Sequence, residues 1–135
     1  MSTELIRKEE DGTLSFGDYT LETKTKVSDF EYEGDLYKVK TYFEVTKLEK
    51  NGMFVYESVP GTAVEHFFQT DREVSFCVRA AEDAQITLEL EPEKEYRIYI
   101  DDTNVGKMKT NLGGKLVISV EIKEQESAAV RITKC

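Results

Sequence analysis

At 135 residues the chain is one domain by length, long enough to bury about two-thirds of its unfolded surface without a staple. Hydrophobic residues make up 39% and charged residues 33%, which excludes a disordered chain and predicts a heavily charged exterior. The formal net charge of −9, from 27 acidic and 18 basic side chains, argues against phosphate backbones and anionic membranes as partners, and favours solubility.

Residues 1–12 are charged and have no clear period, so they are expected as a loosely attached start to a single domain over residues 13–135. They hold no apolar stretch of signal-peptide length, and no later run has the length of a bilayer span. The sequence therefore predicts a cytoplasmic protein. After the Asp11-Gly12 turn, Thr13 to Phe16 and Tyr19 to Thr23 read as short strands, broken at Gly17-Asp18. Lys24 to Asp35 is polar but carries Val27, Phe30 and Tyr32, and reads as a structured loop or edge segment.

Leu36 to Leu48 is the longest strand candidate. Tyr37, Val39, Phe43 and Val45 lie on one side of a two-residue repeat, with Lys38, Lys40, Glu44 and Thr46 on the other. Asn51-Gly52 then predicts a type I′ hairpin into Met53 to Glu57, because both residues tolerate positive φ. Pro60-Gly61 suits the middle of a type II turn. Ala63 to Gln69 and Val74 to Ala80 follow as strands, separated by Asp71-Arg72-Glu73. Gln85 to Leu90 and Glu95 to Ile100 flank a turn at Glu91-Pro92-Glu93-Lys94. Asp101 to Asn104 breaks the chain before Val105 to Thr110, and Asn111-Leu112-Gly113-Gly114 leads into Lys115 to Ile122. A polar loop, Lys123 to Ser127, precedes the closing strand Ala128 to Thr133. No segment holds a helical apolar stripe across three turns. The prediction is an all-β domain of about ten strands: an antiparallel β-sandwich, jelly-roll or immunoglobulin-like.

The inward phase assigns to the core Phe16, Val39, Phe43, Val45, Val55, Phe76, Val78, Ile86, Leu88, Leu90, Tyr96, Ile98, Ile100, Leu116, Ile118, Val120 and Ile132. Placing a carboxylate at Phe43 or Ile118 is then expected to unfold the chain.

Chemistry-bearing residues are scattered. His66 is the single histidine, and nothing near it in sequence suggests a nucleophilic triad. Cys77 reads as a small strand filler and Cys135 as a terminal thiol, both reduced in a cytosolic setting. One histidine and two distant cysteines supply no ligand-pair spacing, so neither a metal nor a cofactor is expected. Asp101-Asp102-Thr103-Asn104 lacks the spacing of a calcium loop and reads as a turn. Gly113-Gly114 lies between strands, not before a helix, so it is no phosphate cradle. Tyr42, Tyr56 and Tyr99 fall on the polar phase of their strands. Exposed there, they would stack on sugar rings or bury at a protein interface, with Asp101 and Asp102 contacting hydroxyls. These five residues form the candidate ligand site, and no catalytic residue is assigned.

Two resemblances bear on function. Leu88 to Asp102 followed by Val105 to Val120 combines a Pro92 turn, a strand led by Tyr96, an Asp101-Asp102 turn and a return strand Thr110-Asn111-x-x-Gly114-x-Leu116. This resembles the β-sandwich modules appended to polysaccharide-degrading enzymes. Gly34 to Thr41, Thr46 to Gly52 and Val55 to Ala63 are similar to a group of short bacterial proteins sometimes labelled endosialidase. That label implies a small glycosidase or lyase. A sialidase propeller needs at least about four blades of four strands, more than this chain supplies. The Ser-x-Asp-x-Gly-x-Thr-Trp boxes of sialidases are absent, and the chain has no Trp. No catalytic residue carries over.

The expectation is therefore a non-enzymatic binding or structural module. Its partner is a second copy in a homodimer, another protein or a glycan, with neither nucleic acid nor membrane. Carbohydrate binding through tyrosines is the first alternative, and a small glycosidase the second.

Overall fold

The computed structural model describes residues 4–122 and 126–135. In chain order these form β1 (Ile6–Lys8), β2 (Leu14–Phe16), β3 (Thr25–Tyr32), β4 (Asp35–Thr41), β5 (Thr46–Lys50), β6 (Met53–Val59) and β7 (Ala63–Gln69). Then follow β8 (Glu73–Arg79), β9 (Ala84–Glu89), β10 (Glu95–Ile100), β11 (Thr103–Lys109), β12 (Lys115–Val120) and β13 (Ser127–Lys134). Seven strands make one sheet in the order β1-β2-β7-β8-β13-β10-β11, and six make the other in the order β12-β9-β6-β5-β4-β3. All pairings are antiparallel. The fold is an all-β sandwich, with thirteen strands among the described residues where about ten were expected.

Alternation builds it. On β8, Val74, Phe76 and Val78 are buried while Ser75 and Cys77 face outward; on β12, Leu116, Ile118 and Val120 are buried while Val117 and Ser119 are exposed. Each sheet buries one face against the other. Tyr56 of β6 spans the gap. Its ring meets Phe16 and Phe76 of the facing sheet edge-on, at centroid distances of 5.2 and 5.8 Å. Each such pair adds roughly 0.5–1.5 kcal/mol beyond its burial.

Several expectations are corrected. Leu36 to Leu48 is two strands, reversing through residues 42–45, where the Tyr42 amide donates to the Val45 carbonyl at 3.0 Å. Thr41 pairs with Thr46 across the reversal, which changes the inward phase from odd positions to even ones. Phe43 thus sits in a turn and is 50% exposed, outside the core. Val45, Val55, Leu90 and Ile100 are half-buried; the other residues assigned to the core are buried. Tyr56, expected on the wet side, is fully buried: the inward phase of β6 is Tyr56 and Ser58. Both of their hydroxyls meet the Thr62 hydroxyl at 2.8 Å, which satisfies the polar ends inside the core.

Tyr19 to Thr23 contains no strand. The described part of the expected loose start holds β1, paired with β2, and buries Leu5 and Ile6; residues 1–3 lie outside the described residues. Residues 123–125 of the expected Lys123 to Ser127 loop also lie outside them, and Ser127 begins β13. Gly61 does not take the positive φ of a type II turn, and the Val59–Pro60 bond is cis. Glycine is needed at 61 because a Cβ would overlap the Tyr42 carbonyl oxygen, and the Gly61 amide donates to the Phe43 carbonyl at 2.9 Å. Asn51 and Gly52, with φ of 51° and 79°, form the expected two-residue hairpin turn. No helix among the described residues is long and apolar enough to cross a membrane.

Candidate functional site

A shallow, open hollow of about 260 Å3 lies on the outer face of the seven-stranded sheet over β7, β8, β13 and β10. Register builds its floor. Ala129 lies opposite Cys77, and Arg131 lies opposite both Ser75 and Tyr99. Ser75, Cys77 and Ala129 are small, so the groove runs over them. Tyr99 and Arg131 form one wall, His66 another, and Asp102 the rim.

Tyr99 and Arg131 meet because they are cross-strand partners on the outward phase. The Arg131 guanidinium carbon lies 4.1 Å from the Tyr99 ring centroid, a cation–π stack. Stacking occupies the flat face of the guanidinium and leaves its in-plane N–H donors pointing sideways. Arg131 pairs with no carboxylate among the described residues.

His66 reaches the groove through a β-bulge. Val64 and Phe67 are both buried although they are three positions apart, so an extra residue is inserted, and His66 takes a φ of 56°. Its Nδ1 is 3.0 Å from the Thr13 hydroxyl and 3.1 Å from the Asp11 carboxylate. The Thr13 hydroxyl donates to Asp11 at 2.5 Å, so a single Nδ1–H is shared between the Thr13 oxygen and the Asp11 carboxylate. Nε2 has no partner among the described residues. Hydrogen bonds from Thr13, with His66 adding to them, hold the Asp11 carboxyl below its ordinary value.

Asp101 and Asp102 make the two-residue turn between β10 and β11, with φ of 51° and 66°. Asp101 is spent on structure: its amide donates to the Ala129 carbonyl at 2.8 Å, and its carboxylate accepts from the Ala129 amide at 2.9 Å. Of the five predicted residues, Tyr99 and Asp102 line the groove and Asp101 supports its edge. Tyr42 lies in the reversal between β4 and β5 of the other sheet, its hydroxyl donating to Glu44 at 2.8 Å, and Tyr56 is in the core.

Sequence reasoning missed His66 and Arg131. The irregular Val64-Glu65-His66-Phe67 phase was the available signal for the first. The second depends on strand register, which no local pattern carries.

Burial, reinforced by Glu65 and Asp101, pushes the Cys77 thiol up, the opposite of what a nucleophilic thiolate needs. Among the described residues the carboxyls with a shifted pKa, Glu9, Asp11, Asp35 and Glu91, are held below their ordinary values by hydrogen bonds and nearby cations, whereas a glycosidic general acid is raised. Among the described residues no three His, Cys, Asp or Glu side chains converge to hold a metal ion. The chain matches no protein-family model, no curated protein and no solved structure.

Proposed function

We propose that this protein is a non-enzymatic β-sandwich binding module that seats a short stretch of glycan in the groove over Ser75, Cys77 and Ala129. One observation carries the reading: Arg131 is stacked on Tyr99, and its hydrogen-bonding edge pairs with no carboxylate among the described residues. An ordered donor fork above a concave floor matches the hydroxyl pairs of a sugar ring. The Asp102 carboxylate adds an acceptor at the rim, and the Nε2 edge of His66 a further polar group. A groove of about 260 Å3 accommodates one or two rings rather than a long segment.

Calorimetric titration against a glycan panel tests this reading. Binding that Arg131→Ala or Tyr99→Ala abolishes, at unchanged melting temperature, supports it. No response to any glycan, or equal binding by the Arg131→Ala variant, defeats it.

Self-association is a second reading, favoured by β11. All seven residues of this edge strand are exposed, and Val105 and Met108 line an open groove of about 660 Å3 shared with Val117. Exposed apolar edges invite pairing with a second copy. A monomeric mass in sedimentation at high micromolar concentration would remove this reading. Cys77 and Cys135 are unpaired, so the fold requires no oxidising compartment, and the cytoplasm is the location we propose.

A further inference from the structure

The opposite face of the sandwich carries a concentration of charge with the wrong sign for this chain. Register places Lys26 opposite Lys40, and Lys40 opposite Lys47, across three adjacent strands. Lys40 and Lys47 point outward, since their neighbours Val39, Thr41, Thr46 and Leu48 are buried. Lys38 lies two positions along β4, and Lys24 leads into β3.

Like charges set directly opposite each other across strands are destabilising. A chain with 27 acidic residues had ample means to neutralise them, yet Lys24, Lys26, Lys38 and Lys40 form no ion pair among the described residues. Lys47 has Glu49 at 3.9 Å and Glu57 facing it from β6, and Glu49 also lies opposite Lys38, so the uncompensated charge centres on Lys24, Lys26 and Lys40. The mutual field is appreciable: burial first, then Lys24, Lys47, Lys26 and Lys38, hold the Lys40 ammonium below the usual amine range. An aromatic lip ends the row. Phe43 is half exposed and edge-on to Tyr42 at 5.4 Å, and the Lys24 ammonium lies 5.7 Å from the Tyr42 ring centroid.

We propose that the β3-β4-β5 face is a docking surface for an acidic polysaccharide, a linear glycan bearing carboxylate or sulfate groups. Neighbouring strands are about 4.8 Å apart, so a polymer crossing them meets Lys26, Lys40 and Lys47 within about 10 Å. The exposed Phe43 beside Tyr42 offers an apolar surface to a sugar ring at the same end. Duplex nucleic acid fits less well. It carries one charge per about 1.7 Å, and a broad, dense polyanion would overlie Glu49 and Glu57 and meet the net negative field of the whole chain. A narrow polymer with sparse charges avoids both.

The test uses the full chain, with immobilised heparin and soluble polygalacturonate as probes and sodium chloride as the variable. The wild type should bind with an affinity that falls as salt rises. K26Q/K40Q/K47Q should lose about tenfold or more in affinity and melt at a higher temperature, because the opposed charges are gone. K94Q/K107Q/K109Q, which removes the same charge elsewhere, should bind like the wild type. No binding of either probe at low salt would overturn the proposal, as would equal loss in the control variant. A lower melting temperature for K26Q/K40Q/K47Q would do the same by making the lysines structural. Tighter binding of duplex DNA than of either polysaccharide would reassign the face to nucleic acid.

Discussion

Thr46 and Thr62 hold each other by two hydrogen bonds: the Thr46 hydroxyl donates to the Thr62 carbonyl at 2.8 Å and accepts from the Thr62 amide at 3.0 Å. Both residues are fully buried. With the Thr46 proton committed, the Thr41 hydroxyl, 2.8 Å away, supplies the remaining bond. The tie joins the start of β5 to the segment leading into β7. Thr46→Val keeps the shape and strands an amide and a carbonyl in a dry site, at roughly 1–3 kcal/mol for each unpaired group. Urea denaturation should show that loss, whereas an unchanged midpoint would mean water satisfies the two groups.

Phe43 and Ile118 separate the two kinds of apolar position. Ile118 is buried on β12, so Ile118→Asp should leave the protein unfolded or insoluble. Phe43 is half exposed in a turn, so Phe43→Asp should shift stability by no more than about 0.5 kcal/mol. Paired melting curves check both.

Gly61→Ala should be costly for a reason unrelated to turn conformation. The added methyl overlaps the Tyr42 carbonyl oxygen, a backbone atom that cannot rotate away. The expected destabilisation is about 1–3 kcal/mol or more, read from denaturant midpoints. A neutral effect would show that residues 42–45 can shift without strain.

Alkaline pH should destabilise the fold through two tyrosines. Burial pushes the Tyr37 phenol to about 12, and burial raises Tyr56 further, outweighing its hydrogen bonds to Thr62 and Ser58. A raised native value means that the unfolded chain releases these protons first. The stabilisation is therefore complete below pH of about 10 and is lost as pH rises through the native values. Urea midpoints should fall between about pH 10 and pH 12, and Tyr37→Phe should flatten that fall. A Tyr37→Phe variant with the full slope would assign the effect elsewhere.

Legibility followed the range of the forces involved. Asn51-Gly52 was readable because both residues allow the left-handed backbone that a two-residue hairpin demands. The β12 alternation was readable because each inward residue is an aliphatic with no competing role. The reversal at 42–45 was hidden: Tyr-Phe-Glu-Val contains no glycine or proline, and the threonines closing it look polar yet are satisfied inside. Tyr56 was misplaced for the same reason, its hydroxyl being met by Thr62 in the core. In the groove, outward phase revealed Tyr99, and turn chemistry revealed Asp102. Arg131 required knowing that β13 pairs with β10, and His66 required recognising an inserted residue in β7.

The outward side chains on the floor of the groove are Ser75, Cys77 and Ala129, none of them in the hydrophobic core, while the core residues Phe76 and Val130 line it from beneath. Relief on that side of the molecule is thus set by side chains that stand above the core. Exchange of Ala129 for a bulky side chain would level the hollow while the layers beneath stay as they are, so selection can reshape what the surface accepts without renegotiating how the chain collapses.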